Sequence, residues 1–367
     1  MAHHGQQAAI MQRGPESTRP RLRRPIIRVI LRVMRLLGAF KLALLLTRRH
    51  VRILGYHGIA LGDLHIFEPF VFMQESTFRR RLEIVRKRHM NVISLDEAVR
   101  SLQAGSSRGR EVVITIDDGW WSTLEFAAPL LKRFGYPATL YLSTRHAVDG
   151  TPVAPVVLGY MLWKRNKTQL KVENIDPSID GVYELGRVHH ATHVQVERKI
   201  TQLDPGLQER VLRQIAERLG LEAAALVADK RFRLIAVKDI RTLAQFGVDT
   251  QLHTHDHFMP KEFTELREQL KQNARHIQRY RDGEPPRHFC YPSGQHSVEH
   301  PLWLAQLGIL SATTCDPGMN RSGQNPYLLR RFLDSESISE IEFEAHICGV
   351  FEIAKRVRTS IGRYLGR

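Results

Sequence analysis

The segment that most restricts what this chain can fold into is Val112-Val113-Ile114-Thr115-Ile116, an apolar run that ends on two adjacent carboxylates, Asp117 and Asp118, followed by Gly119. The run reads as a buried strand. Such a strand does not end on two charges without something to compensate them, because desolvating an ionised carboxylate costs several kcal/mol unless it is paired or metal-bound. The same rhythm recurs along the chain. Ile53-Leu54, Val92-Ile93, Ala138–Leu142, Val248 and Ile309–Thr313 read as further strands, and helical stripes such as Phe78/Leu82/Val85, Leu95/Ala98/Val99, Leu124/Ala127/Ala128/Leu131 and Leu266/Leu270/Ala274/Ile277 lie between them. Strands alternating with helices predict a parallel α/β architecture. Thr77 is expected to cap one of these helices and Gly135 to close another.

A second cluster lies far downstream, at His253-Thr254-His255-Asp256-His257. Imidazoles four residues apart share one side of a helical turn or tight loop. With one carboxylate they make a metal set with open positions, which leaves the second carboxylate free to act as a base. Taken singly, Asp-Asp-Gly also fits a turn or helix cap, and His-x-x-x-His also fits a wet helix face. Each follows its own strand-like segment, and together they point to a site. His255, between the pair, is read as structural or as a support behind the ligands.

Length and charge set bounds. A chain of 367 residues can bury a large core as one barrel with additions or as two smaller domains. Its formal charge of +16 is uneven: residues 1–52 hold twelve Lys and Arg against the single Glu16, so +11 lies in this arm and the remainder is only mildly basic. That distribution speaks against nucleic acid as the partner of the whole protein. Pro25 stands where a first helical residue belongs, Ile26–Leu46 is rich in apolar residues, and Arg28, Arg32 and Arg35 share a helical face. Uncharged runs such as Leu42–Thr47 fall far short of the roughly 18 to 20 residues that span a bilayer. Two readings of the arm remain: a basic amphipathic helix on an anionic membrane surface, or a helix packed on the catalytic domain. Dense arginines without a small-residue cleavage site argue against a secretory signal. Cys290, Cys315 and Cys348 have no paired spacing and fit a reducing compartment without disulfides. Residues 1–20 are expected to be disordered, and His3-His4 is too short a cluster for a metal site.

These residues resemble the polysaccharide deacetylases of carbohydrate esterase family four, which include the nodulation-type chitooligosaccharide deacetylases. That family carries Thr-Phe-Asp-Asp-Gly, with a base and then a metal ligand, and His-Ser/Thr-x-x-His, which completes the metal site; Asp117, Asp118, His253 and His257 match position by position. Phe289-Cys290-Tyr291-Pro292-Ser293-Gly294 is similar to the Phe-x-Tyr-Pro-x-Gly loop of one branch, so Tyr291, Pro292 and Gly294 are implied to line the substrate groove. The resemblance runs from about Val51 to Phe332 and includes Ile53–Gly58 and Leu329-Arg330-Arg331-Phe332. It implies a distorted (β/α)7 barrel. There are two departures from the family pattern. The better-known third motif opens with an Arg that pairs with the catalytic Asp, a cation that Cys290 and its neighbours do not offer; Arg331 either reaches in from another strand end or lies at the surface in an Arg-Arg pair. The late Leu-x-x-His acid is missing, and His346 reads as an ordinary helix residue.

The expected organisation is therefore an arm over residues 1–50, a barrel over 51–335 with a helical insertion at 148–232, and a C-terminal helix over 336–367. The expected function is a metal-dependent hydrolase that removes N-acetyl groups from an amino-sugar glycan or glycan precursor. Asp118, His253 and His257 would hold a divalent cation, Zn²⁺ or alternatively Co²⁺ or Mn²⁺. Asp117 would be the base, Tyr291 would lend an oxyanion-holding N–H, and His57 is the candidate acid, against a structural role. The competing functions are a deformylase or deacylase of a polyprenyl-linked amino sugar, and an inactive glycan-binding protein on the same fold. The expected location is cytoplasmic, peripheral on the inner membrane face.

Overall fold

Seven parallel strands frame the computed structural model, which describes residues 23–165, 169–174, 177, 179–184, 199–200 and 203–364. They are β1 (Arg52–Tyr56), β2 (Glu111–Asp118), β3 (Ala138–Leu142), β4 (Val248–Leu252), β5 (His288–Cys290), β6 (Ser311–Thr313) and β7 (Phe332–Leu333). Each strand pairs with the next from β1 to β6, and β7 returns beside β1. A parallel bridge between Thr313 and Leu329 closes the ring ahead of β7. The fold is thus an α/β barrel: the alternating pattern predicts its parallel α/β character, and the family resemblance implies the barrel. The short strand Asn91–Val92 joins as an extra partner of β2.

Alternation along the strands separates the two faces of the barrel wall. Leu54, Ile114, Ile116, Leu140 and Leu142 face the surrounding helices and belong to the large core. Ile53, Val113, Tyr141, Cys290 and Leu329 form a smaller interior cluster with Leu95, Ala98, Val99 and Leu102 from the helix Leu95–Ala104. Register then sets the site. Asp118 pairs with Leu142, Leu142 with Leu252, and Leu252 with Phe289, so these strands reach one level together.

Several local expectations are corrected. The helix α3 (Glu75–Lys87) has Gln74, not Thr77, at its N-cap. Glu336 takes over the capping: its carboxylate accepts from the Gln74 N–H at 2.9 Å and from the Thr77 hydroxyl at 3.0 Å. Gly135 does close its helix, at φ 70°. The insertion is helical at Ala154–Arg165, Pro205–Arg218 and Ala223–Ala228, and it also holds an antiparallel hairpin, Gln169–Val172 with Gly181–Glu184.

The arm is two helices rather than one, α1 (Arg23–Leu36) and α2 (Ala39–Leu46), bent at Gly38 with φ 81°. The expected disorder of residues 1–20 and the His3-His4 pair lie outside the described residues. Both helices pack on α5 (Glu340–Cys348), through Arg28–Glu342 at 3.2 Å, Arg35–Glu344 at 3.1 Å and the buried Phe40, Ala43 and Leu44. A final helix, α6 (Val350–Tyr364), runs on from Gly349 and packs against α2. His346 is a packing residue as expected, its ring 3.8 Å from that of Phe332.

Candidate active site

Asp117 continues the inward parity of Val113 and Thr115 and meets Arg331 in the barrel interior. The contact is bidentate, Nη1 to Oδ1 at 2.7 Å and Nη2 to Oδ2 at 2.8 Å, with both side chains buried. Arg331 therefore reaches in from the start of β7, two strands along the ring from β2, and the surface alternative is excluded. Its other donors are also used: Nε on Thr314 O at 3.0 Å, Nη1 on Thr115 Oγ1 at 3.1 Å and Nη2 toward Cys290 Sγ at 3.1 Å. Burial alone would raise the Asp117 pKa. The Arg331 charge and its hydrogen bonds outweigh that and hold it below the ordinary carboxylate value.

Asp118 turns away from this pair because its backbone leaves the strand at φ 69°. Of the seven non-glycine residues with positive φ among those described, Asp118, Thr254, His257 and Ser293 all lie in this cluster. Strain concentrated in this way marks a functional site. Gly119, at φ 97°, is required sterically, since a Cβ there would lie 2.3 Å from Leu142 Cδ1. Asp118 Oδ1 lies 3.1 Å from His257 Nε2 and 3.4 Å from His253 Nε2, and its Oδ2 accepts from Trp120 Nε1 at 3.0 Å. Burial raises its pKa, but the two histidines more than offset this and hold it well below the ordinary value. Burial lowers the His257 pKa, and the facing Asp118 carries it above the ordinary value.

His253 is the most firmly set of the three. Its Nδ1 lies 2.8 Å from Cys290 O, and because a carbonyl can only accept, Nδ1 carries the proton and Nε2 keeps its lone pair. Asn273, from α4 (Phe263–Gln278), accepts from the His253 N–H at 2.9 Å and donates to Leu142 O and Thr144 Oγ1. The donor atoms of Asp118, His253 and His257 lie within 4.8 Å of one another, with one carboxylate oxygen and two imidazole nitrogens converging, so these residues fit a divalent cation. Asp117, His253 and Cys290 also approach this closely. That set fits less well, because Arg331 occupies both oxygens of Asp117 and burial pushes the Cys290 thiol well above its ordinary pKa.

The remaining expected residues are near the site with altered parts. His57, just after β1, has Nε2 3.8 Å from Asp117 Oδ2, and its Nδ1 is buried without a partner among the described residues. Tyr291 does not present a free N–H for an oxyanion, because that N–H donates to Thr313 O at 3.2 Å and extends the ladder between neighbouring strands. Its ring is buried and packs against Phe289 and His296. Pro292 is buried beside it, and Gly294 (φ 68°) sits where a Cβ would lie 2.7 Å from Cys315 Cβ. His255 stays outside the cation set: its Nδ1 is 2.9 Å from Thr144 Oγ1 and its ring stacks on His276 at 5.4 Å.

Sequence reasoning missed Trp120, Asn273 and the two roles of Cys290. Only Asn273 left a signal, a polar side chain in register with Leu266, Leu270 and Ile277 on the apolar face of its helix.

No protein-family model matches this chain, and no curated protein matches it by sequence. Solved structures match it by shape. The Streptococcus pyogenes deacetylase PplD superposes with a TM-score of 0.54 at 15% identity, over 82% of this chain and 99% of that one. The fold is that of the polysaccharide deacetylases. A polysaccharide deacetylase from Bacillus cereus gives 0.51 at 14% identity over 82% and 69% of the two chains, and a de-N-acetylase from Aggregatibacter actinomycetemcomitans gives 0.50 at 16% over 81% and 99%. Identities this low establish the fold alone. Chemistry has to be argued from the residues.

Proposed function

We propose that the protein is a metal-dependent hydrolase that removes N-acetyl groups from an amino-sugar glycan or glycan precursor. One observation carries this reading: adjacent carboxylates on one strand end have different partners, Asp118 facing two histidines and Asp117 clamped by a buried arginine. A cation-binding set next to an ionised carboxylate that does not belong to it supplies the Lewis acid and the base for hydrolysis of an amide by water. A same-fold protein named as a polysaccharide deacetylase, from Bacillus cereus, suggests that the amide is on a sugar.

Asp118, His253 and His257 would hold the cation, and a nitrogen and oxygen donor set suits Zn²⁺, with Co²⁺ and Mn²⁺ as alternatives. When bound it supplies Lewis acidity to an N-acyl carbonyl and acidifies a water molecule. Asp117 takes the proton of the attacking water, a contribution of typically about 10²- to 10⁴-fold. Arg331 keeps that carboxylate ionised and fixed in direction. His57, whose Nε2 lies 3.8 Å from Asp117 Oδ2, would return a proton to the departing amine. The loop Tyr291–Gly294 borders the sugar through its shape rather than through the Tyr291 N–H. The basic arm suits a peripheral location on the inner membrane face.

The test is amine release from a panel of N-acetyl and N-formyl amino sugars, free and lipid-linked, after chelation and after return of Zn²⁺, Co²⁺ or Mn²⁺. Metal-restored release from N-acetyl sugars is expected. Stoichiometric metal binding with no release from any member would replace this reading with a glycan-binding one. Preference for lipid-linked N-formyl sugars would replace it with deformylation.

A further inference from the structure

The helix α1 is apolar on two sides. Ile27, Leu31 and Met34 turn toward the domain, as a surface helix requires. Ile26, Ile30, Val33 and Leu37 form a second stripe at helical spacing that faces solvent, and Leu36 and Leu37 at the bend are 83% and 80% exposed. The pattern continues in α2, where Phe40, Ala43 and Leu44 are buried while Leu42, Leu45 and Leu46 are exposed. From α6, Val357 is 52% exposed, and together with Ile353 it lines a groove of about 460 Å³ shared with Leu42 and Leu46 of α2. Most of the exposed large apolar side chains among the described residues lie on these three helices. Monomeric soluble proteins rarely leave so continuous an apolar surface without a use for it.

Charge selects the occupant. No acidic residue lies between Arg23 and His50, and Arg32, Lys41, Arg48, Arg49, Lys355 and Arg358 stand exposed around the apolar stripes. A second protein surface of complementary shape would not need so uniform a cationic rim, whereas an anionic lipid surface offers acyl chains for the stripes and headgroup charge for the rim. We infer that α1, α2 and α6 together form one membrane-docking face for an anionic bilayer. This deepens the peripheral part of the reading above, on which it rests, by adding the C-terminal helix. Thr47 and Arg52, at the N-terminal end of β1, bond to Cys348 O and Ile347 O at the end of α5, whereas Asp117, Asp118 and His253 stand at the C-terminal strand ends. The C-terminal end of α2 and the start of α6 therefore lie at the end of the barrel opposite the site, while α1 crosses the first half of α5 through Arg28–Glu342 and Arg35–Glu344.

The experiment is co-sedimentation of the full chain with phosphatidylcholine vesicles, with and without phosphatidylglycerol. Leu42→Glu and Val357→Glu, on different helices lining one groove, are compared with Leu302→Glu at an exposed apolar position elsewhere. The intact chain is expected to bind only the anionic vesicles, with binding weakened by salt. Both groove variants should lower partitioning at least about tenfold, the scale of exposing one large apolar side chain plus a new charge. Leu302→Glu should leave it unchanged. Binding lost in Leu42→Glu but intact in Val357→Glu overturns the composite face while leaving a membrane-bound arm. No binding by the intact chain overturns both, as does a dimer in sedimentation velocity that the groove variants dissolve.

Discussion

Two buried arginine–aspartate pairs stand on either side of the barrel wall, and their geometry gives them opposite character. Inside the barrel, Arg331 meets Asp117 with two parallel hydrogen bonds, and the carboxylate is held below its ordinary pKa. Outside, between β7 and α3, Arg81 gives Asp334 a single contact at 2.8 Å, with Ser335 N–H the other donor. There burial outweighs the guanidinium, and the Asp334 pKa is pushed up to about 6. Burial is nearly complete in both. What differs is how much of the desolvation penalty the partner offsets, and a fork-to-fork contact offsets more than a single bond. The inner pair preserves a charge for chemistry, whereas the outer one ties the end of β7 to the helical layer.

The largest effects should separate Asp117 from both Asp118 and Asp334. Asp117→Asn is expected to keep bound metal while turnover of an N-acetyl sugar falls at least about a hundredfold, the lower end for a lost general base. Asp118→Ala should lose the metal as well as the activity, because a three-ligand set reduced to two no longer holds its geometry. Metal analysis alongside kinetics decides this, and equal metal loss in both variants would merge the roles assigned to the two carboxylates. Next come the arginines. Removing one partner of a buried pair costs about 3–5 kcal/mol, so Arg331→Met and Arg81→Met should destabilise comparably in denaturant unfolding. Turnover per folded molecule should collapse in Arg331→Met and survive in Arg81→Met. A folded Arg331→Met protein with full turnover would reduce the inner pair to scaffolding like the outer one.

The inner and outer pairs were not equally legible in the sequence. The strand bearing Asp117 and Asp118, the histidine pair and the alternation of a parallel α/β sheet all follow from short-range patterns, which survive in any single chain, whereas closure into a barrel was implied only by the family resemblance. Arg331 was ambiguous because its partner lies 214 positions away and its neighbour Arg330 is an equally good surface residue. The Arg81–Asp334 pair left no local trace, since Arg81 sits among charged helix residues that read as solvated. Tyr291 misled for a different reason. Motif resemblance places the residue but does not show that its N–H is already used by Thr313. The arm was half legible: its amphipathic character was plain, but the bend at Gly38 and the contact with α5 depend on residues some three hundred positions on.

The smallest expected effect bears on the outer pair through pH. Asp334 titrates at about 6 in the fold, against about 3.9 in an unfolded chain, so the folded state holds this proton more tightly. Its stabilising contribution is complete below about pH 4 and is lost as pH rises through about 6, a change of roughly 3 kcal/mol if no other group compensates. Asp334→Asn removes the titration; its single side-chain oxygen can accept from Arg81 Nε or from Ser335 N–H but not both, a loss that lowers stability equally at every pH. Unfolding free energies measured from about pH 4 to 7 should therefore fall more steeply in the natural protein than in Asp334→Asn, with the difference confined to that window. Parallel curves would mean that Arg81 keeps Asp334 ionised as Arg331 keeps Asp117, and that one hydrogen bond offsets burial as well as two. The contrast between the pairs would then rest on position in the barrel alone.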